Sequence, residues 1–303
     1  MKRTIEEASR ATATTWVVFR RGWVGVAAAM AAGWTGWAAP LGAQSQTDVL
    51  FYASAISYQD SQAKDNGTAV GVYGTYGTGW KHLVEVGATR TGIRYADGWE
   101  LTQNDVTLAY SRFGAKGAGR VGVHFISNND PLTDGGMVLF GGASRYEVGA
   151  WSAGAEAAFS NYADYDGGLA VMQLAPSFGV TAYDAGSRVV GATLRGYAIG
   201  LSDDTGLGKT FLSAEAALSF TTGSVTLSGY AWGGEQAFAV RGGGFTPFNL
   251  SELHTGGYGG GFRWVMSPKS ALSAGLYVER FQDVEVATDA WARTFSVSLG
   301  LTF

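Results

Sequence analysis

Thr294-Phe295-Ser296-Val297-Ser298-Leu299-Gly300-Leu301-Thr302-Phe303 closes the chain, and its periodicity decides the fold class. Every second residue is bulky and apolar (Phe295, Val297, Leu299, Leu301, Phe303), with only Ser, Gly and Thr between. A period of two belongs to a β-strand, where successive side chains point to opposite faces. This strand therefore has one apolar and one small, wettable face. The pattern recurs upstream. Val121, Val123 and Phe125 alternate with Arg120 and His124, and Leu212, Ala214, Ala216, Leu218 and Phe220 alternate with Ser213, Glu215 and Ser219. Leu272, Ala274, Leu276 and Val278 do the same against Ser273, Tyr277 and Glu279.

Composition narrows what such strands build. The 303 residues include 46 Gly and only 5 Pro. Charged residues make up 15%, against about 25% in soluble domains. From Gln44 onward no apolar run reaches the roughly 18 residues of a membrane-spanning helix. A sandwich would place charges on its outer face, but here the non-apolar parity is mostly Gly, Ser, Thr and Ala. In lipid every backbone donor must be paired, and strands achieve this only in a closed barrel. The expectation is an all-β fold: a single antiparallel up-and-down transmembrane β-barrel over residues 44–303, its apolar parity facing lipid and its small or polar parity a lumen.

Residues 1–43 read as a cleaved signal peptide. Lys2, Arg3, Arg10, Arg20 and Arg21 outweigh Glu6 and Glu7, an apolar stretch runs from Gly22 to Ala39, and Pro40-Leu41-Gly42-Ala43 offers a small-residue cleavage site. The rival, a transmembrane helix, is disfavoured by the Ala, Gly and Trp content and the terminal Pro. Cysteine is absent, which excludes disulfides, thiolate metal sites and a cysteine nucleophile. The net charge of −4 with no basic patch argues against nucleic acid as a partner.

Fourteen strands are expected, at about 48–60, 67–77, 80–92, 99–112, 119–127, 136–144, 147–161, 167–181, 188–201, 209–221, 225–237, 257–266, 270–282 and 290–303. Twelve is the alternative, because the turn placed at Ala143-Ser144-Arg145 is weak and Pro176 implies a bulge or a break. In the first strand Leu50, Tyr52, Ile56 and Tyr58 form the apolar face and Ala53, Ala55, Ser57 and Gln59 the other. Short turns at Gly77-Thr78-Gly79, Gly114 to Gly119, Thr222-Gly223-Ser224 and Ser267-Pro268-Lys269 fall at one end. The longer connections hold Asp60, Asp65, Asp97, Asp130, Asp134, Asp164, Asp166, Asp203, Asp204, Asp283 and Asp289. Short periplasmic turns and long extracellular loops are the barrel pattern. Aromatic girdles are expected at Tyr76, Trp80, Tyr110, Phe220, Trp264 and Phe303 below, and at Tyr58, Tyr95, Trp99, Phe159 and Trp291 above. The longest connection, 238–256, either folds inward on Phe238, Phe245, Phe248 and Leu250, caps the barrel outside, or is mobile.

The small or polar parity places Lys81, Glu85, Asp105, Arg120, Glu156, Arg195, Glu215, Arg263 and Glu279 in the lumen. They either line a polar conduit that biases solute passage, or pair with each other and hold the lumen shut. His82, His124 and His254 have no Ser and acid at a recognisable spacing, so a rim hydrolase is disfavoured and no enzyme activity is expected. The rim aspartates lack the ordered spacing of a calcium loop. Gly256-Gly257 and Gly259-Gly260-Gly261 lack the strand–helix context of a phosphate loop. No metal and no cofactor is expected.

The terminal strand with Leu299, Leu301 and Phe303 resembles the closing strand of bacterial outer-membrane β-barrels of the porin-like superfamily. That resemblance implies an assembly signal recognised by the outer-membrane assembly machinery, and a location in the cell outer membrane among lipid and lipopolysaccharide. The order of elements is loosely similar to that of YaiO-type outer-membrane proteins, through Thr91-Gly92-Ile93-Arg94-Tyr95 and the hairpin from Ser267-Pro268-Lys269 to Leu272-Ser273-Ala274-Gly275-Leu276. This implies a stand-alone barrel without defined enzymatic activity. The expected function is a porin-like channel for small solutes or for envelope export. The alternative is a non-conducting structural or binding barrel acting through its acidic extracellular loops.

Overall fold

The computed structural model describes residues 45–79, 81–165, 167–283 and 288–303, excepting the side chain of Asp283. The signal peptide expected over 1–43 lies outside the described residues, as do Trp80 and Asp166. The first strands are β1 (Gln46–Gln59), β2 (Lys64–Thr78), β3 (His82–Tyr95), β4 (Glu100–Phe113) and β5 (Gly117–Asn128). They continue as β6 (Met137–Glu147), β7 (Trp151–Tyr162), β8 (Leu169–Asp184), β9 (Arg188–Leu201), β10 (Thr210–Thr222) and β11 (Val225–Gln236). Two short strands, β12 (Val240–Arg241) and β13 (Thr246–Pro247), precede β14 (Glu252–Ser267), β15 (Ser270–Asp283) and β16 (Asp289–Thr302).

All long strands form one closed antiparallel barrel, in which β11 pairs with β14 across the inserted β12–β13 hairpin. The alternating strand that ends the sequence seals it. β16 pairs with β1 from Asp48↔Thr302 to Gln59↔Trp291, and the Phe303 N–H donates to the Thr47 carbonyl at 2.9 Å. Fourteen strands build the wall. No edge strand is left: each of the fourteen has a hydrogen-bonded neighbour on both sides.

Faces follow the alternation. In β16, Phe295, Val297 and Leu299 are exposed while Thr294, Ser296, Ser298 and Gly300 are buried. In mid-wall, Leu194 is 61% and Leu218 64% exposed, although both are leucines. A band of exposed apolar side chains encircling the barrel is a lipid-facing surface. The fold and this band make the protein an outer-membrane β-barrel. Tyr76, Tyr110, Phe220, Trp264 and Phe303 are exposed at the short-turn end, and Trp99 and Phe159 at the other.

Five sequence expectations are corrected. In β1 the parity is reversed: Leu50, Tyr52, Ile56 and Tyr58 turn inward, and Phe51 outward at 52% exposure. Apolar groups are wanted inside here because a loop packs against them. Tyr95 also turns inward. Ala143-Ser144-Arg145 lies within β6, and the turn is Val148-Gly149-Ala150, where Gly149 has φ 75°. Pro176 sits inside β8 without a bulge. It faces lipid and pairs with Ala155, while pairing to β9 lapses between Leu174↔Ala198 and Ser177↔Arg195. Finally, β14 begins at Glu252, five residues before the strand expected from 257, so Gly256 belongs to the wall rather than to the connection. Tyr230, Trp232 and Tyr277 crowd inward beside it. A Cβ on Gly257 would lie 2.7 Å from the Trp232 indole nitrogen.

Leu194, at the middle of β9, tests the lipid assignment. A guanidinium at mid-bilayer on such a face costs about 2–4 kcal/mol. Leu194→Arg is expected to lower unfolding stability in lipid bilayers by that amount, measured by denaturant titration, whereas Thr193→Ser on the inner face changes it little.

Candidate functional site: a plugged barrel interior

The chain between β11 and β14 turns into the barrel and fills it. At its start Phe238 adopts φ 53°, in the left-handed region that bulky residues avoid. Packing enforces this geometry: the ring is fully buried, with centroids 5.5 Å from Tyr162 and 5.6 Å from Tyr165. Gln173 of β8 then grips the backbone of Val240. Its Nε2 donates to the Val240 carbonyl at 2.6 Å, and the Val240 N–H donates to its Oε1 at 2.9 Å. The side-chain amide thus stands in for a strand partner.

Arg241 is the centre of the plug. Its side chain is fully buried; Nη1 donates to Glu279 of β15 at 2.8 Å and Nη2 to Glu215 of β10 at 2.5 Å. The guanidinium also lies 5.0 Å from the Trp232 ring and 5.7 Å from the Phe248 ring. A planar fork that satisfies two carboxylates while stacking on aromatic faces is a geometry available to Arg and not to Lys. Gly242-Gly243-Gly244 follows as a tight turn whose φ values of 60°, 63° and 93° lie on the positive side that glycine tolerates. The Phe140 ring lies against Gly244 where a Cβ would stand. Arg120 donates to the Gly243 carbonyl at 2.8 Å. The loop returns through β13, paired with β12, and Asn249 donates to Gln103 at 2.8 Å.

The residues singled out from the sequence fall as follows. Glu85 and Arg120 pair at 3.1 Å, and Glu85 also accepts from the Tyr73 hydroxyl. Glu156 and Arg195 pair at 3.5 Å. Asp105 lies 3.1 Å from His124, whose other ring nitrogen is 2.6 Å from the Thr107 hydroxyl. Glu215 and Glu279 converge on Arg241. Arg263 is buried on the inner face of β14. Lys81 is not on an inner strand face; it is exposed in the turn between β2 and β3, because β3 begins one residue later. Thr107, His124 and Asp105 resemble a hydrolytic relay, yet Thr107 is buried at 2% exposure, and of the three only Asp105 lines the cavity described below.

Sequence reasoning missed Arg241. The signal was present: it is the sole charged residue between Gln236 and Glu252. It also missed the ion pair of Lys64 with Glu252, beside which His254 stacks on Phe248 at 4.5 Å. Next to this pair a cavity of about 220 Å³ separates the plug from the wall. Phe245, Pro247 and Phe248 bound it from the loop, and Tyr52, Ile93 and Phe281 from the barrel; Lys64, Glu252 and His254 supply its polar end. Among the described residues no group of three or more His, Asp or Glu is arranged to hold a metal ion. The acidic loops make internal bonds instead. The Asn128 N–H donates to Asp134 at 2.8 Å, which holds that carboxyl below its ordinary pKa.

Truncating Arg241 leaves two carboxylates facing each other, and breaking a buried pair costs about 3–5 kcal/mol. Arg241→Ala is expected to loosen the loop and open 237–251 to added protease in the folded barrel, with Arg241→Lys intermediate. Unchanged protease resistance in Arg241→Ala would show that the ion pairs do not hold the plug.

No protein-family model matches this sequence, and no curated protein does. Solved structures share its fold. The monoaromatic hydrocarbon channel CymD superposes with a TM-score of 0.55 at 9% identity, covering 97% of this chain and 97% of that one. The toluene transporter TbuX of Ralstonia pickettii gives 0.54 at 10%, covering 86% and 90%. A bacterial polysaccharide outer membrane secretin gives 0.52 at 10%, covering 85% and 97%. The likeness is one of fold: outer-membrane barrels of the same architecture.

Proposed function

We propose that this protein is a gated outer-membrane channel, shut at rest by the loop over residues 237–251, that admits small, mainly apolar solutes of about single-ring size. The observation that carries the reading is the cavity of about 220 Å³ between that loop and the wall. A cavity of about 150 Å³ lined by apolar side chains holds benzene, so this one has room for a ring with a short substituent. Aromatic and aliphatic groups supply most of its lining surface, with Gln103, Asp105, Asn249 and Glu279 adding polar groups, and the end at Lys64, Glu252 and His254 would orient a substituent. The channel and transporter of similar fold handle monoaromatic hydrocarbons and toluene, in keeping with this size class. On withdrawal of the loop, Glu85, Asp105, Arg120, Glu156, Arg195, Glu215, Arg263 and Glu279 would line the opened conduit with both signs of charge.

Planar-bilayer recording tests the gate. The intact protein is expected to be mostly closed, and replacing 238–250 by a short Gly-Ser link to give steady conductance. A barrel that stays silent after this deletion is a non-conducting one, and the channel reading is then wrong. Ile93→Trp, which fills the cavity, is expected to weaken toluene binding at least tenfold without unfolding the barrel.

Leu299 and Phe303 lie on the outer face at the seam, and we read them with Leu301 as the assembly signal. Removing Phe303 is expected to lower the fraction of barrel inserted in cells, assayed by heat-modifiable gel mobility, while the unfolding midpoint of barrel refolded in vitro stays within error.

A further inference from the structure

We infer that the outer wall from β15 through β16, β1 and β2 to β3 carries a docking site for a phosphorylated glycolipid of the outer leaflet, recognised through its sugar phosphates. The site is independent of the plug and of the channel reading. Four arginines project outward from the extracellular half of this arc: Arg280 on β15, Arg293 on β16, and Arg90 and Arg94 on β3. All four are exposed. Cross-strand register places them in one patch. Arg293 faces Ser57, Ser57 faces Asn66, and Asn66 faces Arg94. Three strand spacings of about 4.8 Å put Arg293 and Arg94 roughly 14 Å apart. Arg90 stands two same-face steps, four residues, below Arg94, opposite Asn104.

Beneath the patch the wall is oily: Val84 and Val86 on β3, Phe51 on β1, Phe295 and Val297 on β16. The arginines therefore mark the upper boundary of the hydrocarbon band. On the opposite arc the same height is held by Phe125, Leu139, Phe159, Met172 and Leu212. The one exposed basic residue at that rim among the described residues, Lys209, is paired with Asp203, so the arginine cluster lies on one side of the barrel.

Counter-charge from the protein is incomplete. Arg280 pairs with Asp289. Arg90, Arg94 and Arg293 make no ion pair among the described residues, although Glu100 lies opposite Arg94 in the ladder and Asp65 at the adjoining end of β2. A guanidinium on a lipid-facing wall requires an anion from the headgroup layer or must snorkel out of the hydrocarbon. Its planar fork matches phosphate oxygens two at a time. A sugar headgroup bearing two phosphates could meet Arg293 at one end of the patch and Arg90 or Arg94 at the other.

The test uses the full folded barrel in detergent, titrated with bisphosphorylated lipid A, with the same lipid stripped of its phosphates, and with phosphatidylglycerol. The expected result is saturable binding of bisphosphorylated lipid A that weakens at least tenfold on phosphate removal and at least tenfold in the triple variant Arg90→Gln, Arg94→Gln, Arg293→Gln. The corresponding triple Lys variant retains most of the binding. Heat-modifiable mobility verifies that each variant is folded, and Arg90→Gln alone, expected to lose a smaller share, serves if the triple variant is not. Equal affinity for the dephosphorylated lipid, undiminished binding by the variants, or preference for phosphatidylglycerol would overturn the inference. Conductance of the loop-deleted barrel is expected to be the same with and without the three arginines, which separates this site from the gate.

Discussion

Hydrocarbon offers the peptide bond no partner, and this constraint organises the molecule. A strand in lipid must have a neighbour on each side, so the sheet must close. Closure happens where the two chain ends of the barrel meet, along the twelve-residue register from Asp48↔Thr302 to Gln59↔Trp291. Once closed at fourteen strands the wall encloses more space than its own side chains fill; about eight strands is the size at which they suffice. The interior needs further material or water. Here one extracellular connection, 237–251, supplies it.

The plug is held by polar rather than hydrophobic specificity. Phe238 provides burial, but the position along the barrel is set by Gln173 bonding both polar groups of Val240 and by Arg241 spanning β10 and β15. The wall ion pairs Glu85–Arg120 and Glu156–Arg195 join next-but-one strands on one side of the lumen. Arg241 is different in kind: it ties the loop to two separated parts of the wall. Arg120 serves both systems, pairing with Glu85 and donating to Gly243. Wall and plug therefore share one electrostatic network.

Alternation made the wall legible in the sequence. Val106, Leu108 and Tyr110, or Leu212 and Leu218, face lipid because nothing but lipid selects on that side. The inner face obeys no such simple rule. Leu50, Tyr52, Ile56 and Tyr58 point inward because Phe245, Phe248 and their neighbours lie against that side of the lumen, a fact about a distant segment. Composition alone does not explain why β14 is rich in glycine; Gly257 and Gly259 are where the Tyr230, Trp232 and Tyr277 rings need room. Parity is local and was readable; its assignment to inside or outside fails where the inside is itself apolar. Arg241 could not be placed because its partners are 26 and 38 residues away, on strands that are not adjacent.

Under the gating proposed above, opening must break these contacts, and the solvent decides how hard that is. A buried ion pair is costly to break when one partner is left dry, because the remaining charge is uncompensated. A loop that withdraws toward the extracellular side admits water as it leaves. Glu215 and Glu279 would then be solvated in the same movement that removes Arg241, and the cost falls toward that of an exposed pair, about 0–1 kcal/mol. The barrier is therefore concentrated at the start of withdrawal, while Arg241 is still fully buried. The cavity beside Lys64 and His254 already separates the loop from one part of the wall. Occupying it with a solute would press on Phe245 and Phe248, on the loop side, and leave the rigid ladders untouched. The gate proposed above would in this way respond to what enters the cavity while the fourteen-stranded wall stays closed.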